Sequence, residues 1–579
     1  MNAIKLETLN LNSLFQEIMK KTILALLVLV LAVCETEAQT VTRGPYLQFP
    51  TSSSMKVMWR TDAPTVSRVY YGPSLANVMD NQVDIATAQT NHTVNITGLD
   101  PYTEYYYAVS DGSTVLAGAD MNHRFKTSPV IGTVQPIRAW VIGDFGKGNA
   151  QQVDVKESFL EHVGDDMPDM WLWLGDNVYD EGTDDEYSNK VFGTTYGYGE
   201  IFPRMPFMPT PGNHDYGAVL NIITGADPTT HDGPYFDIVD VPTNGEIGGV
   251  PSGYELYYSF DYGNVHFVSM NSEIGSIFNN SWDWTGAGIL GNFSSSPFTD
   301  WLHADLQAND KPWVVAYMHQ PPHTDGSHES DQFWQVYMKA MRDNIMPILE
   351  SYGVDLVLSG HSHVYERSFL LNGFYDVPSG FDANQHIVDG SSGKLSEGTP
   401  YIKYTNGPNP NHGTIYIVQG NSGSKDADAN LQHPAMYYGH GCDTCVGSTM
   451  LYAHGDTLSG YYLTKDGEIL DDWTILKQES TTGVEEAEIK QAISGLDVYP
   501  NPFTNETTFA FEVNESLWAN VELVDVVGNL IHSYHSGNMS PGSKKYVVNA
   551  SELGLAKGAY LVRVMTDKRP AVARLIKVE

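Results

Sequence analysis

Three patterns of apolar and polar positions follow one another along the 579-residue chain. From about residue 40 to 128, apolar and polar positions alternate between turn signals. Ser54-Met55-Lys56-Val57-Met58-Trp59, Ser67-Arg68-Val69-Tyr70-Tyr71 and Glu104-Tyr105-Tyr106-Tyr107-Ala108-Val109 are examples. A period of two buries one face of each segment, so short strands at this spacing predict a β-sandwich over residues 39–130, about 90 residues long. From about Ile137 the pattern changes. Arg138-Ala139-Trp140-Val141-Ile142 and Met170-Trp171-Leu172-Trp173-Leu174 are short apolar runs suited to buried strands, as are Pro312 to Met318 and Val354 to Leu358. Gln151 to Val163 places Val155, Phe159, Leu160 and Val163 at helical spacing, and a second helix is expected from about Asp331 to Ser351. Alternating strands and helices predict a layered α/β domain, here residues 135–478.

The third pattern begins beyond a polar linker, residues 479–495. From Leu496 to the end (496–579) short strands return: Thr507-Thr508-Phe509-Ala510-Phe511, Asn520-Val521-Glu522-Leu523-Val524-Asp525 and Gly558-Ala559-Tyr560-Leu561-Val562-Arg563-Val564. These predict a small all-β sandwich. Residues 377–455, rich in Gly, Asn, His and Asp, show no clear period and are expected as long loops forming one wall of the site.

Charge changes the picture. The chain carries 32 Lys+Arg against 70 Asp+Glu, a net of −38. Residues 496–579 hold 8 basic against 9 acidic residues, so nearly all the acidity lies upstream. Such a body repels nucleic acid and anionic membranes, and no nucleic-acid-binding surface is expected. It repels phosphate esters at long range too, so any phosphate site must be locally cationic, as a metal site would be.

The N-terminus has the form of an export signal over residues 1–38. Lys20 and Lys21 precede the apolar run Ile23 to Val33, and Thr36-Glu37-Ala38 offers a small-residue cleavage site. Eleven apolar residues fall short of the roughly 20 that span a bilayer, so no transmembrane span is expected there. Met19 is a plausible true start, and Cys34 raises a lipoprotein alternative. Cys442 and Cys445 then remain. In an exported protein a lone C-x2-C reads as a small loop disulfide. A structural zinc would need two further ligands, for which His440 and His454 stand nearby.

Five short motifs in fixed order carry the chemistry. They are Gly143-Asp144-Phe145-Gly146, Gly175-Asp176-Asn177-Val178-Tyr179, Gly212-Asn213-His214-Asp215, the histidine of Tyr317-Met318-His319, and Gly360-His361-Ser362-His363. Each ends a short apolar run, which puts it past the carboxyl end of a strand, where α/β sheets bind ligands. Together Asp144, Asp176, Tyr179, Asn213, His319, His361 and His363 can hold two metal ions side by side, one carboxylate bridging. Two cations so placed clamp a phosphoryl group and lower the pKa of water. Oxygen and imidazole donors suit iron, zinc or manganese, and a phenolate favours ferric iron. Singly, a Gly-Asp is a turn and a lone His is a solvated residue; the ordered set excludes coincidence.

These motifs resemble the purple acid phosphatases of the metallophosphoesterase superfamily. The resemblance extends over Gly360 to Ser368 and His319-Gln320-Pro321-Pro322, and covers residues 40–475. Leu99-Asp100-Pro101-Tyr102-Thr103-Glu104-Tyr105-Tyr106 also resembles the corner turn of fibronectin type III modules, which precede the catalytic domain in larger members. The resemblance implies an α/β/β/α layered catalytic domain and a binuclear centre of Fe(III) plus a divalent ion, zinc, iron or manganese. It implies that Asp144, Tyr179 and His363 bind the ferric ion. Asn213, His319 and His361 would bind the divalent ion, and Asp176 would bridge. A metal-bound hydroxide would then attack phosphorus in line, with no phosphoenzyme. His214 would contact phosphate or protonate the leaving oxygen, and His328 matches a substrate-pocket histidine. The plant-type enzymes follow that residue with a second histidine, whereas this chain has Glu329; His323 is the candidate to compensate. Glu366 and Arg367 are expected in supporting or ion-pair roles.

Leu496-Asp497-Val498-Tyr499-Pro500-Asn501-Pro502-Phe503, Val524-Asp525-Val526-Val527-Gly528-Asn529 and the ending Arg574-Leu575-Ile576-Lys577-Val578 resemble a type IX secretion C-terminal sorting domain. That resemblance implies passage across an outer membrane, with the secretion machinery as partner and a secreted or cell-surface location. The expected function is an extracellular phosphatase acting on phosphate monoesters. The alternatives are a phosphodiesterase or nucleotide hydrolase on the same site, or a surface-binding protein with a vestigial phosphoesterase domain.

Overall fold

The computed structural model describes residues 15–22, 39–216, 233–273, 296–407, 409–425, 431–480, 493–514, 516–525, 530–566 and 571–578. The expected leader lies outside them except for residues 15–22, which are helical, and so does the expected linker over 481–492.

The first pattern folds as β-structure, with one difference. The segments read as separate strands at 54–59 and 67–71 are a single strand, Ser54–Gly72, pairing with Asn81–Thr97 through register shifts between Arg60 and Ser67. Asp62, Ala63 and Pro64 are exposed at the shift, so the alternation lapses there and the sequence reads as two strands. Strands Val41–Gln48, Glu104–Ser110, Val115–Gly118 and Arg124–Lys126 complete the domain. Leu47, Val57, Trp59, Val69, Ile96 and Tyr107 lie in its core. Arg43 and Arg60 both bind the Asp184 carboxylate at 2.7 Å, tying this domain to the α/β region that follows.

The central region holds two seven-stranded sheets. In the first, Val265–Ser269, Trp313–Tyr317, Leu356–Ser359 and Ile415–Gln419 run parallel. Tyr258–Tyr262 flanks them antiparallel on one side, and Tyr365–Ser368 then Met436–His440 on the other. In the second, Ile137–Ile142, Met170–Leu174 and Phe207–Thr210 run parallel. Gly447–His454, Thr457–Thr464, Ile469–Gln478 and Tyr401–Tyr404 extend it.

Parallel strands covered on both faces need continuous apolar runs, and all five residues of Met170–Leu174 are fully buried. Trp140 stacks on Phe159 at 3.9 Å and Trp173 on Phe207 at 4.1 Å. Such ring pairs contribute about 0.5–1.5 kcal/mol beyond their buried area. The helix Ala150–Val163 covers this sheet. Asn149 caps its start by accepting from Gln152 N, and Gly164 ends it at φ 58°.

Two expectations need correction. The second helix starts at Val336 rather than Asp331, and runs through a π-type turn at Met341–Ile345 to Ser351. The residues before it form tight turns instead, with Gln335 N bonded to Gln332 O at 2.9 Å. Residues 377–455 are not loops throughout. They supply Ile415–Gln419 within one sheet, Gly447–His454 within the other, and strands nearer the edges. Cys442 and Cys445 form a disulfide, which removes the zinc alternative.

The C-terminal segment is a small sandwich of a three-stranded and a four-stranded sheet. Glu506–Val513, Leu517–Asp525 and Gly558–Thr566 cover the three strands expected there. Phe509, Phe511, Val521, Leu523, Val562 and Leu575 fill its core.

Candidate metal centre

All five motifs sit just past strand carboxyl ends. Asp144, Asp176 and Asn213 follow the three parallel strands of the second sheet, and His319 and His361 follow two neighbouring strands of the first. The turns are tight enough that Asp144, Asp176 and His361 adopt positive φ, at 57°, 47° and 64°. Non-glycine residues in this region cost of order 1–3 kcal/mol each and cluster at functional sites. The motif glycines permit close approach. A Cβ on Gly175 would lie 2.6 Å from His319 Nδ1, and one on Gly360 would lie 2.6 Å from Asp144 Oδ2.

The side chains fall into two neighbouring groups. In one, Tyr179 OH donates to Asp144 Oδ1 at 2.8 Å. His363 Nε2 lies 3.4 Å from that hydroxyl and 3.5 Å from the same carboxylate oxygen. In the other, His319 Nε2 lies 3.4 Å from Asp176 Oδ1, 3.2 Å from Asn213 Oδ1 and 3.1 Å from His361 Nδ1. Ligand atoms of Asp176, His319 and His361 all fall within 4.8 Å of one another. The groups are joined where His361 N donates to Asp144 Oδ2 at 2.7 Å.

This donor set fits cations. His319 Nδ1 donates to the Leu174 carbonyl at 2.9 Å, which fixes the tautomer and leaves Nε2 free to ligate. Around Nε2 stand two oxygens that can only accept and another ring nitrogen, an arrangement a positive ion satisfies. The electrostatics agree. Burial pushes the Asp176 carboxyl up, but His319, His214 and His361 outweigh it and hold it well below the usual range. Burial pushes the His319 pKa down, but the charges of Asp176 and Asp144 outweigh it and raise it well above its ordinary value, which marks the pocket as strongly attractive to positive charge. Burial and the charges of Asp144 and Asp176 push the Tyr179 phenol far up, so a phenolate there demands a strongly charged partner.

The candidate acid–base histidines separate. His214 lies at the centre: its backbone N donates to Asp176 Oδ1 at 2.8 Å, and its Nδ1 donates to Asp180 O at 2.7 Å. Nε2 is therefore the free nitrogen, 3.9 Å from Asp176 Oδ2. His328 stacks on His361 at 4.2 Å. Burial and His363 lower its pKa.

His323 is the correction. Its ring is buried against Phe374 at 4.7 Å and donates through Nε2 to the Phe374 carbonyl at 3.1 Å. Burial, His433 and Arg342 hold it neutral, well below its ordinary value. Two prolines precede it, and the chain turns it into the core beneath the site. Glu329 accepts from Gln332 at 3.3 Å, a contact within its own loop.

Several supporting residues carry weaker signals in the sequence. Glu273 follows the strand Val265–Ser269 at the same sheet edge and accepts from Gln320 Nε2 at 3.1 Å. Burial, opposed by His319, pushes its carboxyl up to about 7. Lys147 Nζ lies 3.4 Å from the centre of the Tyr179 ring. Glu366 accepts from Thr324 Oγ1 at 2.5 Å, which anchors the loop bearing His328. Arg367 forms a fully buried pair with Asp471, Nε to Oδ2 at 2.6 Å.

Comparison with known proteins places this geometry. The calcineurin-like phosphoesterase family matches residues 137–365, the purple acid phosphatase N-terminal domain residues 43–127, and the secretion system C-terminal sorting domain residues 497–578. Purple acid phosphatase 23 of Arabidopsis thaliana is 26% identical over 401 residues, covering 61% of this chain and 79% of that protein. Purple acid phosphatase 15 of the same plant is 29% identical over 370 residues, 59% of this chain and 62% of its own length. Acid phosphatase type 7 of Danio rerio is 24% identical over 477 residues, 75% of this chain and 91% of that one. Among solved structures, the purple acid phosphatase PPD1 from yellow lupin aligns with a TM-score of 0.51 at 19% identity, covering 75% of this chain and 74% of that one. PhoD aligns with a TM-score of 0.52 at 14% identity, covering 76% and 93%. These two likenesses concern the fold. With its three segments matched in order, the chain is similar to the purple acid phosphatases in sequence, in fold and in the pairing of an N-terminal domain with a calcineurin-like phosphoesterase domain, and it is a metal-dependent phosphoesterase.

Proposed function

We propose that the chain is an exported phosphatase that hydrolyses phosphate monoesters at a binuclear centre. Asp144, Tyr179 and His363 would hold a ferric ion; Asn213, His319 and His361 would hold zinc, iron or manganese, with Asp176 between the two. The observation that carries this reading is the phenol of Tyr179 lying 2.8 Å from Asp144, beside a second cluster of imidazole, amide and carboxylate. Such a pair of cations lowers the pKa of water and offsets phosphoryl charge.

The chain's own residues do the rest. His214, oriented through its Nδ1 by the Asp180 carbonyl, presents Nε2 to the phosphoryl group. Water attacks opposite the leaving oxygen. As the new O–P bond forms, the bond to that oxygen breaks and His214 or His328 gives it a proton. Strand-end placement fixes each donor, so little reorganisation is needed as charge develops. Export rests on the sorting domain at 497–578. No helix among the described residues is long and apolar enough to cross a membrane.

The test is turnover of 4-nitrophenyl phosphate against bis(4-nitrophenyl) phosphate, from acid to neutral pH, by iron- and zinc-loaded protein. Monoester turnover that vanishes in Asp176→Asn is the expected result. Faster diester turnover would replace the reading with a phosphodiesterase, and silence on both would overturn it.

A further inference from the structure

Phe333 and Trp334 are 87% and 57% exposed, and their rings meet edge to face at 4.8 Å. Among the described residues no other neighbouring pair of aromatics is so open to solvent. The pair is anchored. Asp331 binds the buried guanidinium of Arg342 at 2.9 Å, and Gln335 N bonds back to Gln332 O at 2.9 Å. It also borders the site. Gln335, next to Trp334, donates to His328 Nδ1 at 3.3 Å, and His328 stacks on the ligand candidate His361. Two residues further, burial and the charge of Glu273 raise the Tyr337 phenol. Residues 328–337 thus run from above one metal group to the neighbourhood of Glu273.

We infer that Trp334, backed by Phe333, is the surface on which a planar aromatic leaving group stacks, so that aryl and nucleoside monophosphates are the preferred substrate class. The inference rests on the monoesterase reading above. Rings presented to solvent on a fixed turn beside a catalytic centre gain contact area only when a flat partner covers them. Glu329, four residues before Phe333 on the same turn-rich segment, puts a negative charge on this rim, which disfavours leaving groups that carry further phosphates. Planarity and low charge are what this edge selects.

The experiment compares wild type with Trp334→Ala and Trp334→Phe on three monoesters: 4-nitrophenyl phosphate, adenosine 5′-monophosphate and glycerol 2-phosphate. Stacking of ordinary size predicts that Trp334→Ala lowers kcat/KM about tenfold on either or both planar substrates and less than about twofold on glycerol phosphate. Trp334→Phe should recover most of the loss. The planar substrate that loses more identifies the source, aryl or nucleoside. Binding of phenylphosphonate and methylphosphonate, which are not hydrolysed, gives a second readout, and the preference for phenyl should shrink in Trp334→Ala. Equal losses on all three esters, or none, would overturn the inference while leaving the monoesterase reading intact. A wild type inactive on all three would overturn both.

Discussion

The Tyr179 hydroxyl donates to the Asp144 carboxylate across 2.8 Å, bringing together two motifs that end adjacent parallel strands. The contact places a phenol where it can share a cation with a carboxylate and an imidazole. Tyr179→Phe should abolish any visible phenolate-to-iron absorption while the circular dichroism spectrum stays that of the wild type. Turnover should fall by about tenfold to a hundredfold, the range for removing a partner that tunes a metal. Unchanged absorption would place the iron elsewhere.

His328 and His323 stand five residues apart in sequence and face opposite ways. His328→Ala should lower kcat/KM on monoesters by about tenfold to a thousandfold, in line with loss of a positioned proton donor or phosphate contact. His323→Phe should leave kcat/KM within about threefold and be felt in the melting temperature instead, as core changes are. Steady-state kinetics beside calorimetry would separate the two.

Arg367 and Asp471 form a charge pair with both side chains fully buried, and Tyr365 OH adds a bond to Asp471 at 3.0 Å. Removing one charge strands the other. Asp471→Asn should therefore cost about 3–5 kcal/mol, read as a drop in urea midpoint. A change below about 1 kcal/mol would show that the pair is hydrated.

His266 lies between two carboxylates, Nδ1 at 2.7 Å from Asp261 and Nε2 at 2.9 Å from Asp305. Burial lowers its pKa, but the two hydrogen bonds outweigh burial and raise it to about 9. A raised imidazole stabilises the fold fully below the unfolded value near 6.5, and that contribution disappears as pH rises through about 9. It amounts to about 3 kcal/mol. Thermal denaturation followed from pH 6 to pH 10 should show a fall that His266→Gln lacks.

Much of this architecture is legible in the sequence. The motif residues end apolar runs so short that a buried parallel strand is their natural fate, and Met170–Leu174 is one. Their convergence was legible as well, because five strand-end turns at one sheet edge leave their side chains few other places to go. What stayed hidden depended on distant partners. Ile415–Gln419 is only five residues long and follows a Gly- and Asn-rich stretch, so nothing local announces that it pairs with Leu356–Ser359. His323 carries no mark of its neighbours Phe374 and His433, which come from sequence positions far downstream. The strand Ser54–Gly72 was masked by the exposed Ala63 and Pro64 at its shift in register.

The positive φ angles of Asp144, Asp176 and His361 have a consequence for how the protein acquires its ions. These turns are held by sheet pairing and by bonds such as Ser424 N to Asp144 O and Asp144 N to Gly175 O, none of which needs a cation. The nest is built before the egg arrives. On this geometry the fold does not depend on the ions, in contrast to small domains that fold only when metal binds. A chelated sample should accordingly keep the circular dichroism spectrum of the metal-loaded one.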